Sequence, residues 1–157
     1  DWLGISATRL NAQLMKTLFG KNSHKEVVIN PTKKQNWKSQ VLLAAGWKPG
    51  FSTDYDAVLL AKKYGADTVI NLSNIDYVYD KDPRVNKDAK KMEKVSWSEF
   101  KKIVGNKWIP GANLPFDPIA SALAQKNKIK VLFIKGSELK EVKKAILGRK
   151  IKGTLIF

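Results

Sequence analysis

The sequence contains no cysteine, a single histidine and only three arginines, Arg9, Arg84 and Arg149. The lack of cysteine excludes disulfides, thiolate metal sites and a cysteine nucleophile. No apolar run reaches the roughly 18 residues that a membrane-spanning helix needs. The chain opens with Asp1 and Trp2 rather than with the basic and apolar regions of a signal peptide. We therefore expect a cytoplasmic protein that is not attached to a membrane.

Several motifs of well-known enzymes are also missing. The chain has no GxxxxGK[ST] phosphate-binding loop, no HExxH zinc motif and no GxSxG nucleophile motif. The lone histidine, His24, lies in a charged stretch with no nucleophile motif to serve, which favours a solvated side chain over a catalytic one.

Positive charge is in large excess, because 29 lysines and arginines face 14 aspartates and glutamates, for a formal net charge of +15. Such an excess raises the question of nucleic-acid binding. The lysines are spread along the chain, whereas recognition of bases and phosphates favours clustered arginine. We therefore expect no nucleic-acid partner and interpret the charge as a solvated surface or as a field that steers small anionic substrates. A nucleic-acid-binding protein is the alternative, and its affinity would fall steeply with salt.

The order of the predicted elements favours one α/β domain over residues 1–157. With 43% hydrophobic residues in a chain of 157, there is enough material for one core and too little for two comfortable domains. Residues 1–19 have the apolar spacing of a helix packed on a sheet. That stripe consists of Leu3, Ala7, Leu10, Leu14 and Leu18. Residues 26–29 and 41–45 are predicted to be buried strands.

Helices and strands continue to alternate along the rest of the chain. Helical spacing over residues 54–64 ends at Gly65, and residues 68–72 form the clearest buried strand. Further helices are predicted from Ser96 to Val104, from Asp117 to about Asn127 and from Glu138 to Leu147, and further strands over residues 130–134 and 154–157. Because helices follow strands, we expect a mainly parallel sheet that binds ligands at the carboxyl ends of its strands.

The first candidate binding loop follows Ala45. Residues 46–54 hold two glycines, two hydroxyls and a carboxylate between a predicted strand and a predicted helix. Backbone N–H groups next to glycine, together with the positive end of the helix, make such a loop a natural anion site. The alternative is that Ser52, Thr53 or Asp54 simply caps the helix. The residues alone leave both interpretations open.

The second candidate loop, residues 73–83, contains three carboxylates and two tyrosines. Carboxylates can hold Mg²⁺ or accept hydrogen bonds from ribose hydroxyls, and tyrosine can stack on a base. By composition alone a polar turn is the better interpretation, because asparagine and aspartate are ordinary turn residues. The short loop at residues 135–137 is interpreted as structural. Asp117, just before Pro118, is interpreted as a helix cap.

Four stretches of the chain form a recognisable series. Residues 1–12 follow the pattern D-x-x-G-x-x-A-T-x-x-N, and residues 46–54 are a glycine-rich loop that ends in Ser-Thr-Asp. Residues 74–83 read N-I-D-Y-V-Y-D-K-D-P, and residues 153–156 read G-T-L-I. In this order the four stretches resemble the motifs of the UMP kinases in the amino-acid-kinase family. Each motif alone is weak, but four at consistent spacing over the whole chain are specific.

The resemblance implies a three-layer α/β sandwich with a mainly parallel sheet, the amino-acid-kinase or carbamate-kinase-like fold, without its N-terminal strands. It implies transfer of the γ-phosphoryl group of Mg-ATP to UMP, giving UDP for pyrimidine nucleotide biosynthesis. Such a transfer needs mainly positioning and charge neutralisation. ATP and UMP are thus the implied partners, Mg²⁺ is the implied cofactor, and a homo-oligomer, commonly a hexamer, is the implied assembly.

Roles of single residues also follow from the resemblance, position by position. Asp54 matches the catalytic aspartate that organises the transferring phosphate, and Asp1 would hydrogen-bond the ribose of UMP. The other residues implied to bind UMP are Trp47, Gly50, Ser52 and Thr53. The residues implied to bind ATP are Ser73, Asn74, Tyr79 and Asp82.

The sequence departs from the family pattern at several points. Tyr77 replaces the usual glycine after Asp76, Trp47 stands where a small residue is common, and residues 108–118 are closer to the archaeal type of UMP kinase. The family's Gly-Gly-Ser loop and its lysine normally precede the position of Asp1. We therefore expect the chain to be the C-terminal portion of the full domain, with impaired transfer on its own. A carboxylate or carbamate kinase of the same family, or a non-catalytic nucleotide-binding or storage relative, is the alternative.

Overall fold

The computed structural model describes residues 1–107 and 114–157. Its helices are α1 (Trp2–Phe19), α2 (Thr53–Tyr64), α3 (Trp97–Val104), α4 (Pro118–Lys126) and α5 (Leu139–Ile146). Its strands are β1 (Thr68–Ser73), β2 (Val78–Tyr79), β3 (Lys91–Met92), β4 (Lys94–Val95), β5 (Lys130–Lys135) and β6 (Thr154–Ile156). Within these ranges no helix combines the length and the apolar character needed to cross a bilayer. Of the archaeal-like stretch, residues 108–113 lie outside the described residues.

The strands form a four-stranded sheet in the order β1-β5-β6-β4 and a separate β2–β3 ribbon. Strands β1 and β5 pair in parallel, as do β4 and β6, whereas β5 and β6 are antiparallel. The predicted α/β fold with a mainly parallel sheet is therefore confirmed. Ser73 pairs with Lys135 at the carboxyl ends of β1 and β5, and the N–H of Gly136 donates to the carbonyl oxygen of Ser73 at 2.8 Å. The loop after β1 thus leaves from the edge where such sheets bind ligands.

The hydrophobic core joins the sheet to helices α2, α3 and α4. Phe100, Phe116, Phe133 and Ile156 are fully buried in it. Burying a side chain of this size contributes about 1.5–3 kcal/mol each. The helices that carry the candidate loops are therefore fixed against the sheet.

Polar caps determine where three helices begin. Ser52 caps α2, Asp117 caps α4, and Ser96 forms a capping box with Glu99 at the start of α3. The chain leaves α2 through Gly65, whose φ of 71° is a left-handed conformation that glycine adopts without strain. The helix starts predicted at Ser96 and Asp117, and the helix end at Gly65, are confirmed.

Helix α1 forms as predicted, but the prediction that its leucine stripe packs on a sheet is wrong. Leu3 is 86% exposed and Leu10 is 72% exposed. The helix instead buries Ile5 and Ala12, which lie seven residues apart on another side. A Cβ atom added to Gly46 would lie 3.5 Å from the side chain of Ile5, so the loop after residue 45 covers that side. Helical spacing indicated an amphipathic helix without revealing which of two apolar rows is buried.

Residues 26–29 and 41–45 are extended, but they are not strands of the sheet, and their prediction as buried strands is wrong. One isolated parallel bridge, between Val28 and Ala44, joins the two runs, and a second joins Ser23 to Val41. Of these two runs only Val28 is buried. In the described part of the chain no further strand extends this pairing, so most of the side chains stay partly exposed. Strand β1 is likewise only half-buried, because it lies at the edge of the sheet, and Leu72 is 53% exposed.

Candidate functional site

The first candidate loop turns into the N-terminus of α2, and the capping interpretation of its polar residues is confirmed. Ser52 caps the helix, because its Oγ accepts the N–H of Tyr55 at 3.1 Å. Thr53 and Asp54 are the first residues of the helix itself. Gly50 has a φ of 87°, so the turn before the cap requires glycine. The loop therefore delivers hydroxyl and backbone N–H groups to the positive end of a helix of 12 residues.

Helix α1 lies alongside this loop and contacts it at both ends. The Asp1 carboxylate accepts the N–H of Gly50 at 3.3 Å, and the Thr8 hydroxyl accepts the N–H of Gly46 at 2.9 Å. The residues that the sequence linked to the acceptor nucleotide are thereby brought together. They are Asp1, Trp47, Gly50, Ser52 and Thr53, and Asp54, the predicted catalytic residue, follows Thr53 directly.

Two aspartates meet at the start of α2. The backbone N–H of Asp117 donates to Oδ2 of Asp54 at 3.0 Å, and the hydroxyl of Ser52 donates to Oδ2 of Asp117. Burial raises the pKa of Asp54 to about 6; the N–H of Asp117 opposes this rise, and the negative charge of Asp117 adds to it. Asp54 is thus a carboxylate whose charge changes near neutral pH.

Asp117 caps α4 and also makes a contact that the sequence did not predict. It caps α4 as predicted, because its Oδ1 accepts the N–H groups of Ile119 and Ala120 at 2.6 and 3.2 Å. Its second oxygen is left to receive the hydroxyl of Ser52, which places a nearly buried carboxylate beside Asp54. The interpretation of Asp117 as only a cap was therefore incomplete. No local pattern could have revealed this contact, because 63 positions separate Asp54 from Asp117.

The second candidate loop lines a cavity of about 370 Å³ after β1. Ser73, Asn74, Tyr79 and Asp82, the four residues linked by sequence to ATP, all contribute to its wall. The Arg84 guanidinium also lines it and binds Asp82 through two hydrogen bonds, at 2.8 and 3.1 Å. Those bonds hold the pKa of the Asp82 carboxyl below its ordinary value. Arg84 was not among the predicted site residues, although its bidentate geometry suits phosphate recognition.

Tyr79 is held at this cavity by a polar network on one face of the β2–β3 ribbon. Its hydroxyl donates to Asp76 at 2.9 Å, and the Lys91 ammonium binds the other oxygen of Asp76 at 2.5 Å. Lys91 is the cross-strand partner of Tyr79 and also lies 4.8 Å from the ring centroid of Tyr77. Burial acts to raise the pKa of Asp76, but the hydrogen bonds from Lys91 and Tyr79 outweigh it and lower that pKa. Tyr77, the departure from the family pattern, thus covers the lysine of this network.

Residues 114–117 connect the residues at the start of α2 with those that line the cavity after β1. Leu114 and Pro115 line the cavity, and Asp117 contacts Ser52 and Asp54. Since two residues of extended chain span at most about 7 Å, the cavity and the two aspartates are immediate neighbours.

A divalent cation would find few protein ligands here. Among residues 1–107 and 114–157 no group of three or more histidines, aspartates or glutamates could hold a metal ion. Asp54 and Asp117 are adjoining carboxylates, but both oxygens of Asp117 already accept hydrogen bonds, which leaves Asp54 as the carboxylate available to a cation. That donor set fits Mg²⁺, which is commonly held by one or two carboxylates together with the phosphates of a substrate.

Arg9 and Asp56 were not predicted as site residues, yet both bind the backbone of Trp47. Asp56 accepts its N–H at 3.0 Å, and Arg9 donates to its carbonyl oxygen at 2.9 Å. The Trp47 ring packs on Phe51 with centroids 4.7 Å apart, and the Lys48 ammonium lies 4.4 Å from the Trp47 centroid. The large residue at position 47 is thus accommodated by an aromatic contact within the loop.

Comparisons with known proteins place these observations in context. The family model described as the amino acid kinase family matches residues 1–135. A uridylate kinase from Hyperthermus butylicus is 32% identical over 163 residues, which cover 99% of this chain and 70% of that protein. A uridylate kinase from Sulfurisphaera tokodaii is 36% identical over 160 residues, with the same two coverages. The crystal structure of uridylate kinase from Archaeoglobus fulgidus, 31% identical, matches with a TM-score of 0.82 over 99% of this chain and 71% of that one.

Proposed function

This chain belongs to the amino acid kinase family, and we propose that it forms the greater part of a uridylate kinase, which transfers the γ-phosphoryl group of ATP to UMP. The observation that carries the proposal is the adjoining pair of sites, one at the N-terminus of α2 and one at the carboxyl end of β1. Direct transfer between two nucleotides requires such neighbours, with the reacting oxygens in line.

The site at α2 is assigned to UMP. Its phosphate would bind near Thr53, where the free N–H groups and the dipole of α2 favour an anion. Asp1 lies at the N-terminus of α1 with its carboxylate toward the same loop, which suits a hydrogen bond from a ribose hydroxyl. Trp47, Gly50 and Ser52 complete this acceptor site.

The cavity after β1 is assigned to ATP. Its volume of about 370 Å³ is within the usual range for a small-molecule site. Asp82 and Arg84 would meet polar groups of the nucleotide, and Tyr79 offers a ring held in place by Asp76. Ser73 and Asn74 begin the loop at the edge of the sheet. Mg²⁺ bound with ATP would neutralise charge on the phosphates.

Asp54 is the residue to which we assign catalysis. It lies at the start of α2, between the proposed acceptor site and the cavity, and the N–H of Asp117 fixes its carboxylate. A fixed carboxylate at this point would orient the groups that hold the transferring phosphoryl group. Such chemistry depends on positioning more than on covalent participation by the protein.

A homo-oligomer in the cytoplasm, acting in pyrimidine nucleotide biosynthesis, completes the proposal. The exposed apolar row on α1 supports self-association, because contiguous exposed apolar surface is typical of interaction sites. That row consists of Leu3, Leu10, Leu14 and Leu18. Light scattering coupled to size-exclusion chromatography tests this part, and a mass equal to one chain at micromolar concentration contradicts it.

The proposed function is tested by binding and by turnover. Isothermal titration calorimetry of this chain with UMP, CMP, GMP and AMP is expected to give the tightest binding for UMP. A carboxylate or carbamate kinase of the same family would show no such preference for UMP among the four nucleotides. Nucleotide binding without turnover in the complete gene product would instead support a non-catalytic relative.

A further inference from the structure

Three successive peptide groups at the start of the acceptor loop are each hydrogen-bonded to a side chain from a helix. The N–H of Gly46 donates to Thr8 of α1, and the N–H of Trp47 donates to Asp56 of α2, at 2.9 and 3.0 Å. The carbonyl oxygen of Trp47 accepts from Arg9 of α1 at 2.9 Å. Side chains from two helices that are distant in sequence therefore bind the same short segment.

These bonds determine the backbone conformation of Trp47. A peptide group is planar, so a residue has only two soft dihedral angles, φ and ψ. Asp56 fixes the plane before Trp47 and Arg9 fixes the plane after it, and both dihedral angles are thereby set. The direction in which the loop continues toward Gly50 and α2 follows from those two angles.

The arrangement leaves buried polar atoms without partners. Asp56 is only 5% exposed, and within the described residues neither its Oδ1 atom nor the Nε atom of Arg9 has a hydrogen-bond partner. A buried polar group without a hydrogen-bond partner destabilises the folded state. Burial also raises the pKa of Asp56. Stability of the fold alone does not call for such groups, and buried polar atoms of this kind need a separate explanation.

We propose that Arg9 and Asp56 are positioning residues of the acceptor site. By fixing the backbone on both sides of Trp47, they hold the loop in the conformation that binds the acceptor nucleotide. The inference rests on the proposed function, because it takes residues 46–54 as the UMP site. Neither residue was given a role by the family resemblance. Each acts through the loop, and neither is proposed to touch the reacting atoms.

The affinity of this chain for UMP, measured by isothermal titration calorimetry, tests the proposal. Asp56→Ala removes the acceptor for the Trp47 N–H and is expected to raise the Kd for UMP about tenfold, as the loss of one charged hydrogen bond does. Asp56→Asn keeps a carbonyl oxygen at that position and should restore the Kd to within about threefold of the parent value. The Kd for a non-hydrolysable ATP analogue is expected to stay unchanged in both variants.

A double-mutant cycle separates positioning from independent contributions. Arg9→Met alone should raise the Kd for UMP by about the same factor as Asp56→Ala. Because losing either bond frees the loop, the double variant should bind UMP only slightly more weakly than either single variant. Purely additive losses would contradict a shared action through Trp47. Arg9→Met also keeps the test available if Asp56→Ala does not fold.

Glu141 provides a matched control. It is 6% exposed, and its carboxylate accepts the N–H of Lys152 at 2.7 Å and pairs with Lys144 at 2.8 Å, so it is a backbone-binding carboxylate far from the loop in sequence. Glu141→Ala is expected to lower the free energy of unfolding without changing the Kd for UMP.

Two results would overturn the inference, and they differ. If the parent chain binds UMP and the Arg9 and Asp56 variants bind it equally well, the positioning role is wrong while the proposed function stands. If the parent chain binds no UMP at all, both fall together.

Discussion

The backbone N–H of Asp117 donates to the carboxylate of Asp54 at 3.0 Å, across 63 positions of sequence. This bond joins the start of α4 to the start of α2. The second carboxylate, that of Asp117, accepts the hydroxyl of Ser52 in the same place. One hydroxyl and two carboxylates therefore meet at the start of α2. Pro115, two residues before Asp117, lines the neighbouring cavity.

Asp54→Asn is expected to abolish phosphoryl transfer in the complete gene product while preserving the fold. Asparagine can still accept the N–H of Asp117, so the start of α4 keeps its partner. The charge that would organise the transferring phosphate is lost. Steady-state assay of ADP release checks this, with circular dichroism to confirm folding. Turnover within a few-fold of the parent enzyme would contradict the role assigned to Asp54.

The stability of the protein is expected to depend on pH through Asp54. Its pKa is about 6 in the folded chain against an ordinary value of 3.8, so the folded state holds a proton that the unfolded state has released between these two values. Stability is therefore lost as pH rises through that window, and the full loss persists above pH 6. Asp54→Asn, which has no such group, is expected to be more stable than the parent by about 1–3 kcal/mol at pH 8.

Urea denaturation at several pH values measures this effect. The difference between Asp54→Asn and the parent chain should be smallest at pH 3 and below, under both pKa values, where the carboxyl is protonated in the folded and the unfolded state. Asp56 is present in both proteins, so its own titration cancels from the comparison. A stability difference that is the same at pH 3 and pH 8 would show that the pKa of Asp54 is not raised.

Tyr79→Phe is expected to weaken the binding of ATP about three- to tenfold and to leave the binding of UMP unchanged. The variant loses the bond to Asp76 that holds the ring at the cavity, and such a bond contributes about 1 kcal/mol. Tyr77→Phe is the matched control, because its ring remains over Lys91 and it should bind ATP normally. Fluorescence titration with an ATP analogue distinguishes the two variants. Equal affinities would remove Tyr79 from the proposed ATP site.

Gly46→Ala is expected to destabilise the chain and to weaken UMP binding. A Cβ atom at this position would lie 2.9 Å from the Thr8 hydroxyl, which accepts the N–H of Gly46 itself. The control is Gly4→Ala, since nothing lies within 4 Å of a Cβ atom there. Within α1 that change should stabilise the chain by about 0.5–1 kcal/mol. Thermal unfolding of both variants checks the opposite signs.

Local signals predicted most of the elements. The cap at Ser96, the pair Asp117 and Pro118, and the stop at Gly65 act through neighbours in sequence, and each is where the pattern placed it. Burial was predicted less well, because it depends on contacts between distant segments. The leucines of α1 are apolar yet exposed, and the two extended runs before residue 46 are only partly buried.

The same division holds for the candidate site. The motif positions brought together four residues that line one cavity and a loop, residues 46–54, that leads into α2. Three sets of contacts were not predicted. They are the bond between Asp54 and Asp117, the bonds of Arg9 and Asp56 to the backbone of Trp47, and the pairing of Arg84 with Asp82. The first two join segments that are far apart in sequence, where neither spacing nor composition gives a signal. Arg84 lies only two residues from Asp82, and the sequence did contain a signal there, an arginine next to an aspartate-proline turn.

Release of ADP from Mg-ATP in the presence of UMP reports phosphoryl transfer between the two nucleotides. The assay is run on the complete gene product and on this chain, with UMP, CMP, GMP and AMP as alternative acceptors. We expect the complete gene product to release ADP fastest with UMP and to lose this activity in Asp54→Asn. Release of ADP that does not depend on UMP, or that is equally fast with all four acceptors, would contradict the account.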